Sequence, residues 1–161
     1  MIFIALGTQK FQFNRLLQIV DKLIDERKID EPVYAQIGNS DYRPKNFEYC
    51  SFLDKSEFEN KIKNCDVLIT HSGVATIIAG LKNEKKVIVV PRLAKYGEHV
   101  DNHQVQIAES FSKQNYVIMC TEGDSLEELI VKAKHHEFAK YMSQRKQMIE
   151  TIEKFLQNYD T

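Results

Sequence analysis

Val67-Leu68-Ile69-Thr70 is an apolar run of the length of one buried strand, and it stops at His71-Ser72-Gly73. Directly after the glycine the apolar positions switch to helical spacing, with Val74, Ile77, Ile78 and Leu81 on one face. Strand, small-residue turn and helix in that order aim the first turn of the helix outwards, with its N–H groups unpaired. Those amides, together with a dipole equivalent to about half a positive charge, suit an anion. Ser72 and Gly73 have little side chain to hold a phosphate away. The stretch predicts a diphosphate-bearing ligand over residues 72–74.

The same alternation runs through the chain. Met1 to Leu6, Pro32 to Gly38, Phe47 to Cys50, Lys86 to Val90 and Tyr116 to Cys120 read as further strands. Phe13, Leu16, Leu17, Val20, Leu23 and Ile24 mark one amphipathic helix. Phe58, Ile62 and Cys65 mark a second, and Val105, Ile107, Ala108 and Phe111 a third over about 102–113. Asp124 or Ser125 is the expected N-cap of another, with Glu127 and Glu128 in its first turn. This order predicts an α/β fold of Rossmann-like, doubly wound type with a mostly parallel sheet. It makes one domain over 1–161, a core over 1–134 and a long C-terminal helix over 138–158. The apolar stripe of that helix (Tyr141, Met142, Met148, Ile149, Ile152, Phe155, Leu156) packs either on the chain's own sheet or on a partner.

A net charge of −1 gives no global attraction to nucleic acid or to an anionic membrane. No apolar run approaches the ~20 residues that span a bilayer. Met1 to Leu6 is too short for a signal-peptide core and lacks a basic leader. Cys50, Cys65 and Cys120 have neither metal nor C-x-x-C spacing, which suits reduced thiols in a cytoplasmic protein. Any membrane contact is therefore expected through a partner.

Open α/β sheets bind ligands at the carboxyl ends of their strands. Gly7-Thr8 lies at such an end, as a phosphate contact or as an ordinary tight turn. Asp101-Asn102-His103-Gln104 opens a helix at the same edge. Asp101 is a natural N-cap, and Asn102, His103 and Gln104 carry the directional donors and acceptors that sugar hydroxyls require. His71 either donates to the phosphates or braces its loop. His99 and His103 are four apart, but a third metal ligand is not evident and there is no D-x-D motif. No Ser/His/Asp set or carboxylate pair marks a catalytic base.

H-S-G-V-A-T-I-I-A at 71–79, V-I-V-V-P at 87–91 and D-N-H-Q at 101–104, in this order, resemble the UDP-sugar-binding half of family 28 glycosyltransferases. The likeness extends from Ile2 to about Gln114. It is nearest to the small soluble subunits of two-part enzymes, found in eukaryotic N-glycan assembly and in bacterial exopolysaccharide and capsule synthesis. The resemblance implies the C-terminal lobe of a GT-B enzyme, with no cofactor and no metal. Donor contacts would come from Gly7, Thr8, His71, Ser72, Gly73, Val74, Arg92, Asn102, His103 and Gln104. The Ser72–Val74 amides, with Arg92 or His71, would meet the charge on departing UDP. Ser51 to Asp54 would lie near the base, with Phe52 or Leu53 on uracil or in the core. One departure stands out: Ala79 occupies the place where many relatives carry an acid on the ribose.

The implied activity is inverting transfer of a hexose or uronic acid from a UDP-sugar to a lipid-diphosphate-linked saccharide. A membrane-anchored glycosyltransferase subunit would supply the acceptor lobe and the base, and would hold this chain at the inner face of the membrane. The alternative is a non-catalytic accessory subunit that stabilises or enhances such a partner.

Overall fold

The computed structural model describes residues 1–141 and 152–157. The elements are β1 (Ile2–Ala5), α1 (Asn14–Asp25), β2 (Val33–Gln36), β3 (Glu48–Cys50), α2 (Lys55–Asn64), β4 (Val67–Thr70), α3 (Val74–Lys82), β5 (Lys86–Val89), a 3-10 turn (Ala94–Tyr96), α4 (His103–Lys113), β6 (Ile118–Met119) and α5 (Leu126–His135). All strands pair in parallel, in the order β3-β2-β1-β4-β5-β6. The chain therefore turns away from β1 in one direction through β2 and β3, then returns to its other side at β4. Ala5 pairs with Gln36 on one side and with Thr70 on the other. The loops that leave β1 and β4 therefore start side by side at the point where the strand order reverses, which is where open α/β sheets bind ligands.

Alternation along the strands divides the core into two layers. Ile2, Ile4, Val67 and Ile69 pack with Leu16, Leu17 and Val20 of α1 and with Ile130 of α5. Phe3, Leu68, Val87 and Val89 pack on the opposite face with Ile62, Ile77 and Phe111. Each of these large side chains is almost fully buried, worth roughly 1.5–3 kcal/mol apiece. Asp54 caps α2 through Glu57 N–H, and Ser125 caps α5 through Glu128 N–H. Asp124, the other expected cap, instead accepts from Thr121 N–H and Oγ1.

Three expectations need correction. The last strand is confined to Ile118–Met119, because Tyr116 N–H is taken by Phe111 O at the end of α4. The C-terminal helix does not begin at Phe138. Ala139 N–H bonds Asn115 O and Asn115 Nδ2 bonds Glu137 O, which ties 137–141 to the turn after α4 in non-helical form. Residues 152–157 are helical, and Ile152 is buried against the chain's own core. Met142, Met148 and Ile149 of the expected stripe lie outside the described residues. Finally, the cap position of α4 is Asn102, one residue later than expected, although Asp101 Oδ1 still accepts His103 N–H.

Candidate functional site

The meeting point of the β1 and β4 loops is built around one imidazole. His71 follows β4 and is 4% exposed, lying beneath two glycines. A Cβ placed on Gly7 or on Gly73 would fall 2.5 Å from His71 Nε2 in both cases. Gly7 has φ +78°, in the left-handed region that suits glycine. Gly38 lies under the same loop, where a Cβ would meet Gly7 O at 2.5 Å. The two glycine turns thus leave Nε2 a passage that any side chain would fill.

Gln104 fixes the ring. Its Oε1 accepts from Ser72 N–H (3.2 Å) and from Arg92 N–H (2.9 Å), so Nε2 is the atom facing His71 Nδ1 at 3.0 Å. Nδ1 then accepts, and the ring proton resides on Nε2, toward the glycines. Burial, then the charge of Arg92, push the His71 pKa down to about 3. The ring is a neutral N–H donor at any physiological pH.

α3 adds backbone donors. Gly73 is its N-cap with no side-chain cap, and the first intrahelical bond is Ile77 N–H to Gly73 O. Among the described residues, the N–H groups of Gly7, Gly73, Val74, Ala75 and Thr76 make no hydrogen bond. Gly73 and Val74 are half-buried. A neutral imidazole donor and several free amides therefore converge at one helix N-terminus, an arrangement suited to an anion.

The structure brings most of the expected residues to this edge but changes several roles. Ser72 N–H is consumed by Gln104 Oε1 and Ser72 Oγ donates to Gln104 O at 2.6 Å, so of the amides expected over 72–74 only Gly73 and Val74 remain. Gln104 was expected to read the sugar; it is 4% exposed and braces the turn from inside. Arg92 is 1% exposed, and its guanidinium donates inward to the carbonyls of Leu6, Phe11, Gln12 and Glu98. Direct contact of this guanidinium with a phosphate is excluded by that geometry. Thr8 is exposed on the β1–α1 loop. Asn102 is exposed, and its Oδ1 accepts Ala94 N–H.

His99 and His103 do not face each other across an open metal position. Their Nδ1 atoms lie 3.2 and 3.0 Å from the two oxygens of Asp101. Among the described residues no group of three or more metal-type side chains is placed to hold an ion. Leu53 packs on the core and gives its N–H to Gln36 Oε1, whereas Phe52 is 51% exposed. Ala79 is half-buried on α3.

Sequence reasoning missed one buried acid and one cavity. Glu98, 0% exposed, receives a two-pronged bond from Arg15, with Nε and Nη2 each 3.0 Å from a carboxylate oxygen. Its position in a polar loop gave no sign of burial. A cavity of about 650 Å³ lined by Lys82, Lys85, Tyr116, Phe138 and Tyr141 opens at the opposite, amino edge of the sheet, remote from the glycine turns.

These features agree with what the chain is similar to. UDP-N-acetylglucosamine transferase subunit ALG13 of Candida albicans is 32% identical over 133 residues, covering 83% of this chain and 42% of the relative. The human protein of that name is 27% identical over 129 residues, covering 74% of this chain and 11% of the relative. The chain thus spans less than half the length of these relatives. Among solved structures, the glycotransferase of kitacinnamycin superimposes with TM-score 0.56 at 16% identity, over 98% of this chain and 40% of that one. Acinetobacter baumannii MurG gives 0.54 at 14%, over 96% and 49%. These two establish the shared fold. The model of the glycosyltransferase family 28 C-terminal domain matches residues 1–159, and the chain belongs to that family.

Proposed function

We propose that this chain is the donor-binding subunit of a two-component, metal-independent, inverting glycosyltransferase. One observation carries the proposal: the His71 Nε2–H and the free amides of Gly7, Gly73 and Val74 meet where the strand order reverses. The diphosphate of a UDP-sugar is seated there. As the bond to the sugar breaks, negative charge grows on UDP, and donors already held in place stabilise it without reorganising. Asn102 and His103 line the edge on which the sugar rests, and Gln104 holds the turn in register.

The donor is a UDP-hexose or UDP-uronate and the acceptor a lipid-diphosphate-linked saccharide of capsule or exopolysaccharide synthesis. A membrane-anchored partner supplies the acceptor lobe and the base that deprotonates the attacking hydroxyl. Among the described residues no helix is long and apolar enough to cross a membrane. That partner also holds the chain at the inner membrane face. The name of the Candida albicans relative, a transferase subunit, supports the division of labour.

Calorimetric titration of UDP and UDP-sugars into the chain, alone and with its partner, tests this. Saturable binding that Gly73→Asp abolishes is expected. Absence of binding in both settings, or binding indifferent to Gly73→Asp, sinks the proposal.

A further inference from the structure

Arg92 is a cation almost wholly removed from water, and its hydrogen bonds go to carbonyl oxygens. Nη2 donates to Leu6 O at 2.6 Å, and Nη1 donates to Phe11 O, Gln12 O and Glu98 O at 3.0, 3.2 and 3.1 Å. Nε is buried without a partner, and Cζ lies 5.1 Å from the centre of the Phe13 ring. The nearby buried carboxylate of Glu98 is engaged elsewhere, by Arg15 and by Leu93 N–H at 2.9 Å. Burying a cation costs several kcal/mol even when hydrogen-bonded, and Glu98 offsets this guanidinium only through space, its direct ion pair being with Arg15, so the placement of Arg92 calls for a use.

Its position supplies one. Leu6 O belongs to the peptide whose other end is Gly7 N–H. That peptide is trans, so the N–H points away from Arg92. The Gly7 N–H has no partner among the described residues. A cation bound at the carbonyl end polarises the peptide and strengthens the N–H as a donor. The charge of Arg92 also disfavours protonation of His71, so its field reaches the imidazole beneath both glycines.

We propose that Arg92 is a positioning residue that strengthens the hold on a bound diphosphate from beneath, through the Leu6–Gly7 peptide and without touching the ligand, and that Glu98 sets the strength of this effect. The proposal rests on the diphosphate reading of the glycine turns. It differs from a purely mechanical role, in which Arg92 only stitches the β1–α1 loop to the loop after β5.

The test measures the affinity of the full chain for UDP and for uridine in wild type, Arg92→Met, Arg92→Lys and Glu98→Gln, with folding checked by thermal unfolding. Arg92→Met is expected to weaken UDP by about tenfold and Arg92→Lys by less, since the charge is kept. Glu98→Gln retains an acceptor for Leu93 N–H but removes the opposing charge, so UDP should bind about threefold tighter. Uridine, which has no phosphate, should bind alike throughout. A mechanical role predicts the opposite sign for Glu98→Gln, and weaker UDP binding in that variant overturns the inference. Equal losses for Met and Lys overturn it too, as does a loss shared by uridine. If Arg92→Met does not fold, Arg92→Lys and Glu98→Gln still decide. Absence of UDP binding to the wild-type chain both alone and with its partner removes the diphosphate reading itself; UDP binding indifferent to Arg92 removes the inference alone.

Discussion

Gln104 Nε2 lies 3.0 Å from His71 Nδ1, and that contact decides which imidazole nitrogen carries the proton. Both oxygen lone pairs of the amide are taken by backbone N–H groups of Ser72 and Arg92, so Gln104 has only a donor to offer. The free Nε2–H under the glycines is the consequence.

The first prediction concerns pH. The His71 pKa is held near 3 in the folded protein by burial and by Arg92, against about 6.5 in the unfolded chain. Between those values the unfolded state binds more protons, so stability contributed by the neutral ring is intact above about pH 6.5 and falls as the pH drops toward 3. The slope from this one group is at most about 1.4 kcal/mol per pH unit. Denaturant unfolding at pH 7, 6 and 5 should show it, and His71→Gln should lack it. Nitrogen-15 NMR should find the Nε2–H tautomer with no titration between pH 5 and 8; an imidazolium in that range would refute the assignment.

The second prediction separates the two functions of Gln104. Gln104→Leu leaves two buried amides and Nδ1 of His71 without partners, at about 2–4 kcal/mol in stability. Gln104→Glu retains an acceptor for Ser72 and Arg92 but sets a carboxylate against Nδ1. The ring proton should move to Nδ1, or the ring should become charged, which the same NMR experiment reads. UDP affinity should drop about tenfold in Gln104→Glu, because a carboxylate then lies near the diphosphate and the tautomer changes. Unaltered UDP binding would show that His71 does not serve the ligand.

The two glycines should respond differently to alanine. Gly73 has φ −78°, an ordinary conformation, so Gly73→Ala meets only the steric conflict with His71 Nε2. A loss of about 1–3 kcal/mol is expected, with UDP binding abolished because the methyl occupies the passage. Gly7 adds a left-handed backbone to the same 2.5 Å conflict, so Gly7→Ala should be the less stable of the pair by about 1 kcal/mol. Thermal unfolding and calorimetry of both variants check the order.

What could be read before the fold was known follows from the range of each interaction. The strand ending at Thr70, the turn at His71–Gly73 and the helix after it are written in local periodicity, and the structure places them as expected. The parallel order follows from repetition of that unit. The role of Arg92 was not legible, because its shortest bond reaches back to Leu6 over a separation of 86 residues. Gln104 read as a sugar contact because nothing local to Asp101–Gln104 reveals that Ser72 N–H requires an acceptor. The helix expected from Phe138 failed for the same reason: Asn115, far away in sequence, captures the Glu137–Ala139 backbone.

The last prediction supplies a control, a residue that matters for the fold and not for the ligand. Asp21, 4% exposed on α1, accepts from Tyr42 Oη (2.6 Å), Lys45 N–H (2.9 Å) and the Asn46 N–H and Nδ2 (2.8 and 2.9 Å). Burial raises its pKa, but these bonds outweigh burial and hold the carboxyl below its ordinary value. The stability it contributes is therefore present above about pH 4, near the unfolded pKa, and is lost as the pH falls through the lower folded value. Asp21→Asn turns an acceptor-only group into one that must point an N–H at other donors, and a cost of about 2–3 kcal/mol is expected at pH 7. UDP affinity, measured well below the unfolding temperature, should equal that of wild type. A variant that unfolds early yet binds normally shows that affinity losses at Gly73 and Gln104 reflect the site rather than general weakening. A matching loss of affinity in Asp21→Asn would remove that distinction.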